Sequence, residues 1–485
     1  MKPAAGGIHI REDVWELTEW DPTLLWYARA VKGMSARPIT DPTSWRYQAA
    51  IHDYIRTRDP LAVNGETMPT SADQTKYWRQ CQHGSWFFLP WHRGYLAYFE
   101  QIVRAEIVRQ GGPADWALPY WNYSDDEEPN ARLVRKEFLT PTLPDASPNA
   151  LADASREGPI SMVGGAGDFG IDDFDVALDC LEQPTFEAGV GSASFGGPAT
   201  GFHHNSGPAG DLEAVPHGSV HVGVGGWLGA FNTAGLDPLF WLHHANIDRL
   251  WQVWLNRNPA FENPSDAAWL TAVAFAIHDA SGQPITFTSQ DVLDTRAPSL
   301  AYAYEDTSDP LATAGLAAAG GPVTMAGQKP PPTVLAGASH SSVALASDVT
   351  TAHVTVDPTV LPTAGAALAG AGPGAGRVYL NLENITGTDN TSSYRVYVNA
   401  PEGVSLPKEN YAGLLPMFGV EEASDSAALH GGSGLTYVLD ITRLVERMKN
   451  ARTWRDGELK VTFVQKRKGN KVPDLKVGRI SLYYS

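Results

Sequence analysis

A mainly helical body followed by an antiparallel β domain is the fold class that three observations predict. Residues 91–103 and 237–251 carry large apolar and aromatic side chains at helical spacing. Residues 310–333 are rich in Ala, Gly and Pro without periodicity, a composition that cannot bury a core and reads as a linker. Beyond 334, short segments such as Arg377 to Leu382, Tyr394 to Val398 and Lys460 to Val464 alternate with a period of two between turn residues, which predicts an antiparallel sandwich. With 485 residues, 43% of them apolar, the chain is long enough for two cores. The expected divisions are 1–309, 310–333 and 334–485.

The first helical stretches are Val14 to Leu17, Leu24 to Val31 and Trp45 to Asp53, the last ending its apolar stripe on His52. Read alone, His52 is a core histidine. The run Cys81-Gln82-His83-Gly84-Ser85-Trp86-Phe87-Phe88-Leu89-Pro90-Trp91-His92-Arg93 holds two histidines nine residues apart. Pro90 forbids one helix over both, so a helix is expected to start just after it. His83 then lies on an approach segment and His92 in a first turn, which lets two imidazoles converge from different elements. Imidazole suits Zn, Cu, Fe and Ni. Trp116 to Tyr123 reads as aromatic core, and 124–210, weakly patterned, as surface loop; His203-His204 there offer metal ligands but read better as a mobile polar segment. His217 and His221 stand at i and i+4, facing one way on a helix that Pro216 would open. Asp237 to Trp251 is a second buried helix, carrying His243-His244.

These residues resemble the coupled binuclear copper proteins: tyrosinases, catechol oxidases (polyphenol oxidases) and hemocyanins. One family signature is filled by His83, Phe88, Trp91-His92-Arg93, Leu96 and Glu100, the other by Asp237, Pro238, Phe240, His244 and Asp248. The resemblance implies a four-helix bundle holding two copper ions, one on His52, His83 and His92, the other on His217, His221 and His244. His243 is then a core or supporting residue. A Cys-x-His pair at this point implies a thioether between Cys81 and His83, whereas the residues alone allow a buried thiol; Cys180 reads as structural. Glu213 matches an acidic position that holds a water near the metal, although a helix-surface Glu has the same spacing. Phe231 stands where relatives carry a phenylalanine over the first copper, either gating substrate or filling space.

Two coppers together deliver two electrons to O2, and the protein supplies position and walls. The implied reaction takes O2 as co-substrate and oxidises small phenols, o-diphenols or o-aminophenols, to o-quinones. Many bacterial tyrosinases have Asn directly after the first ligand of the second copper; here that residue is Gly218, and Val222 follows His221. Monophenol hydroxylation is therefore expected to be weak or absent, with Gly218 and Val222 leaving room for bulky substrates. An oxygen carrier shares the same ligands and differs in lacking turnover. A zinc hydrolase fits two triads poorly.

Thirty-six basic against 54 acidic residues give net −18, which argues against nucleic acid or a membrane surface as partner. No run of eighteen apolar residues is present. Met1 to Gly7 carry no apolar signal core, and two cysteines leave the compartment open. Residues 441–485 hold twelve Lys/Arg and four Asp/Glu, a local +8 that leaves −26 elsewhere. Tyr302-x-Tyr304 resembles the close of plant and fungal catalytic domains, and the residues beyond 334 resemble the C-terminal domain of plant polyphenol oxidases, which covers the copper site. An intramolecular shield is thus expected, with Leu415, Met417 and Phe418 as candidate plugs; a purely stabilising domain is the alternative.

Overall fold

The computed structural model describes residues 7–153, 155–156, 158–312, 332–360, 376–401, 406–428, 431–455, 457–466 and 474–485. The expected linker lies almost wholly outside them, as does most of the Gly/Ala run at 364–376. Four helices build the body: Pro22–Ser35, Trp45–His52, Phe88–Arg109 and Pro238–Arg257. Three begin on side-chain caps. Asp21 accepts from Thr23 N ahead of Pro22, Ser44 from Tyr47 N, and Asp237 from Leu239 N ahead of Pro238. The Asp-Pro of the second motif is therefore a helix start; buried Arg156 also ion-pairs the Asp237 carboxylate.

The helix expected to begin after Pro90 begins at Phe88. Pro90 occupies the third helical position, where a backbone N–H has no intrahelical acceptor and its absence costs nothing. The two long helices are tied by buried charge. Arg93 Nε donates to Asp248 Oδ1 at 2.5 Å, Tyr302 and Tyr304 donate to Asp248 Oδ2 at 2.5 and 2.6 Å, and Arg11 pairs with Glu100 at 2.6 Å. Tyr302–Tyr304 pairs in parallel with His9–Arg11, so the first and last parts of the body close on one another.

The strands beyond 332 form one hydrogen-bonded path rather than two separate sheets. In order these are Tyr411–Pro416, Ser393–Val398, Glu458–Gln465, Val349–Val356, Val334–Ala338, Lys476–Tyr484, Val378–Thr386 and Leu435–Asp440. All these pairs are antiparallel. Leu415 near one end and Tyr437 near the other share one core, and Tyr437 Oη donates to Pro416 O at 2.5 Å. The sheet therefore wraps around its own core. A sandwich was the expectation because alternation reports which face is buried and not how strands join.

A further strand continues the sheet: Gly207–Pro208 of the body pairs in parallel with Leu435–Asp440. The expected surface loop over 124–210 is in fact a packed layer. Phe169, Cys180, Leu181, Phe186 and Phe195 are buried, and charged residues of this region meet the β domain. Arg395 and Lys466 both reach Asp172, Lys466 also pairs with Asp175, and Arg443 meets Glu182 at 2.7 Å. Irregular backbone hid this burial, because neither helical nor strand periodicity marks it.

Candidate metal centre

Six histidines converge where the four body helices meet the segment 213–224. His52 closes Trp45–His52, His83 sits on the approach to Phe88–Arg109, His92 lies in the second turn of that helix, and His244 on Pro238–Arg257. His217 and His221 do not share one regular helix opened by Pro216. The α-helix is only Ser219–Val224, entered through a wider turn, Glu213–Gly218, in which Val215 is extended. Their rings still meet at 4.6 Å.

Two groups form, His52, His83 and His92 in one and His217, His221, His243 and His244 in the other. Four of the rings are aimed by backbone carbonyls. The Nδ1 atoms of His52, His92, His217 and His221 lie 3.2, 2.8, 3.0 and 2.6 Å from the carbonyls of Phe231, Phe88, Glu213 and Leu228. A carbonyl only accepts, so each Nδ1 carries the proton and each Nε2 presents a lone pair. Nε2 of His52, His92 and His217 is buried with no hydrogen-bond partner. Burial pushes all six imidazoles down, His92 and His221 to about 3, so they are neutral. Buried neutral imidazoles with unpartnered lone pairs fit a pair of soft-to-borderline cations and fit nothing else so well.

His244 stacks on His92 at 4.4 Å with 13° between planes, and its Nε2 is 3.4 Å from that of His221, so it faces the first triad. His243 packs against His221 at 4.7 Å, His217 at 5.5 Å and Tyr123 at 5.6 Å. His83 differs from its partners. Neither ring nitrogen has a hydrogen-bond partner.

Around the histidines, Phe231 stands 5.1 Å from His52 and 4.8 Å from His83, over the first triad. Glu213 is buried and accepts from Gly84 N at 2.9 and 3.1 Å; burial pushes its carboxyl up to about 8. His204 is no mobile residue. Its Nδ1 lies 2.9 Å from Cys81 O and 3.3 Å from Cys81 Sγ, and its Nε2 is 3.4 Å from Asp53, because buried Asp53 draws the ring inward.

The β domain reaches the histidine rings through Phe418, with Leu435 and Tyr437 lining the cavity beside it. The Phe418 ring lies flat on His221, 4.0 Å away with 12° between planes, and 5.7 Å from His217 and 5.5 Å from Phe231. Leu415 and Met417 face the β domain's own core instead. The room expected beside Gly218 is taken: a Cβ there would lie 3.1 Å from Pro416 Cγ. Val222 is buried in the body core and does not line the cavity. What remains next to Glu213, Gly218 and Phe418 is a cavity of about 20 Å³. That holds about one water, against roughly 300 Å³ or more for a ligand pocket. Asn205 and Pro416 went unremarked in the sequence; only the tertiary fold brings them here.

Residues 42–257 match the family described as the common central domain of tyrosinase, and 332–485 match a domain family of unknown function. Over 486 residues the chain is 35% identical to tyrosinase HcTyr1 of Hahella sp. (strain CCB-MM4), covering 98% of each protein. The chain belongs to the tyrosinase family. It is also 31% identical over 311 residues to (+)-larreatricin hydroxylase of Larrea tridentata, a match covering 60% of this chain and 48% of that protein. Latent apple tyrosinase has the same fold at 21% identity, with a TM-score of 0.63 and coverage of 100% of this chain and 99% of that one. Latent aurone synthase gives 0.64 at 21% identity, covering 99% and 90%. This tyrosinase-family protein is thus a copper-dependent phenol oxidase with a dinuclear copper cofactor and O2 as co-substrate. No helix among the described residues is long and apolar enough to cross a membrane.

Proposed function

We propose that the protein oxidises o-diphenols to o-quinones, or o-aminophenols to o-quinone imines, and that the domain beyond the 310–333 linker holds it latent. His52, His83 and His92 would hold one copper, and His217, His221 and His244 the other. Bound copper supplies the two-electron exchange with O2, so that two diphenols and one O2 give two quinones and two waters. The residues do the rest. Carbonyl-anchored imidazoles keep their lone pairs fixed, Phe231 walls the first triad, and the flat face of His221 receives the substrate ring. Glu213 lines the same cavity as His83 and His217, and its carboxylate, once ionised, would take a proton of an incoming hydroxyl. No amide follows His217, which supports weak monophenol hydroxylation.

The observation that carries latency is Phe418 on His221, since an aromatic ring already occupies the face a phenol would use. The lack of any hydrogen-bond anchor on His83 supports the Cys81–His83 thioether, which would fix that ring by another means. Opening the interface tests the reading. With Arg395→Glu and Lys466→Glu together, repulsion from Asp172 and Asp175 should release the β domain. Oxygen uptake by the copper-loaded variant is expected to rise at least tenfold with catechol and little with tyrosine. Equal, low uptake by both proteins would refute the shield, and rapid tyrosine turnover would refute the assignment of diphenols.

A further inference from the structure

The plug is a peptide, and the body holds its backbone as well as its ring. One residue after Phe418, Gly419 turns through a left-handed conformation (φ 77°, ψ 8°). Its carbonyl accepts from Asn205 Nδ2 at 3.1 Å. A Cβ on Gly419 would stand 3.2 Å from Phe231 Cδ2 and 3.4 Å from Asn205 Nδ2, so the backbone runs in a narrow slot between these two side chains. Asn205 is 4% exposed and lines the same cavity as Glu213 and His217.

The body fixes the stretch that leads into Asn205, while Gly207–Pro208 just after it pairs with the sheet edge of the β domain. His203 N donates to Gln82 Oε1 at 2.8 Å, His83 N donates to His203 O at 3.3 Å, and His204 is held by Cys81 O and Asp53. None of these partners belongs to the β domain. When Phe418 and Gly419 leave, the anchors of His203 and His204 keep Asn205 beside the space they vacate, its amide donor freed of the Gly419 carbonyl. A buried donor left without an acceptor favours whichever ligand restores one.

We propose that Phe418-Gly419 is a built-in substrate mimic and that Asn205 determines specificity: the opened site prefers catechols whose side chain carries an amide carbonyl placed as in a peptide, such as a dihydroxyphenylalanyl residue followed by glycine. This rests on the oxidase reading above and names its substrate class. The ring lies on His221 as Phe418 does, and the following carbonyl accepts from Asn205 Nδ2. The reaction balance is unchanged, each catechol giving two electrons and two protons to O2.

The test uses the copper-loaded full chain carrying Arg395→Glu and Lys466→Glu, with N-acetyl-dihydroxyphenylalanyl-glycinamide and 4-methylcatechol as substrates. Asn205→Asp, which keeps the shape and loses the donor, and Asn205→Leu are compared with the parent. The ratio of kcat/KM for the peptide to that for 4-methylcatechol is expected to fall about tenfold in both, chiefly through KM, the size of one hydrogen bond. An unchanged ratio, or equal losses on both substrates, overturns the inference and assigns Asn205 a structural part only. No turnover of 4-methylcatechol by the parent overturns the oxidase and shield readings themselves, an outcome distinct from the loss of peptide preference.

Discussion

Each of four imidazoles in the site takes its orientation from a single backbone carbonyl, and this fixes at the residue scale that Nε2 presents the lone pair. The carbonyls of Phe88 and Glu213 lie four residues before His92 and His217, so the anchor is local and was implicit in the spacing. Those of Phe231 and Leu228 come from a distant loop and were not. His92→Ala is expected to lower bound copper from two to one per chain by metal analysis, because the other triad keeps its own anchors. His83 has no such carbonyl. After copper loading in air, the peptide containing Cys81 and His83 should weigh two hydrogens less than its sequence, by mass spectrometry; an unchanged mass would remove the thioether. His83, His92 and His244 stood out because both signatures are contiguous in sequence, and His217 and His221 through their i, i+4 spacing, whereas His52 was singled out only by the resemblance. Phe418 was legible only as one of three neighbours. The strand ends at Pro416, and in the turn after it Met417 enters the β core while Phe418 reaches His221, with no local pattern to fix which goes where.

At the scale of elements, the motif residues that are not ligands turn out to be joints. Arg93 and Asp248 tie the two long helices, and the Tyr-x-Tyr pair locks onto the same carboxylate. The cationic partners hold the Asp248 carboxyl below the usual range despite its burial. Asp248→Ala leaves Arg93 and Arg11 buried without that counter-charge and is expected to cost about 3–5 kcal/mol in urea unfolding. The contact between elements also sets a pH dependence. Asp211, beside Gln183, Asp179, Asp440 and Arg377, has its carboxyl pushed by burial from 3.8 up to about 8. The folded chain therefore keeps a proton that the unfolded chain gives up above about pH 4. Stability from this group is present below the unfolded value and lost as pH rises toward 8, at up to about 1.4 kcal/mol per pH unit. Asp211→Asn should flatten the profile between pH 5 and 8, whereas parallel profiles would show that Asp211 does not govern it. Nothing in the sequence around Asp211 signals this, because its burial comes from the fold of an unpatterned stretch.

For the whole molecule, the division into a helical body and a β domain was readable from periodicity, and the way the two are joined was not. Charge asymmetry pointed toward docking, and Lys466 and Arg443 of the basic C-terminal stretch do meet Asp172, Asp175 and Glu182. Other contacts are of a different kind. Arg58 of the body pairs with Glu421 of the β domain at 2.5 Å, reversing the polarity, and Gly207–Pro208 adds a strand to the sheet edge. Main-chain pairing makes docking specific where charge alone would make it only close. The same docking places Pro416 over Gly218 and Phe418 over His221.

The measurement that tests this most directly is catechol-dependent oxygen uptake by the copper-loaded full chain and by its Phe418→Ala variant, at equal copper content. Removing the ring frees the face of His221 while the rest of the interface stays intact. Uptake at least tenfold higher in the variant, with two coppers per chain in both proteins, is the predicted result. Equal rates at two coppers per chain would contradict the claim that Phe418 closes a working dicopper site.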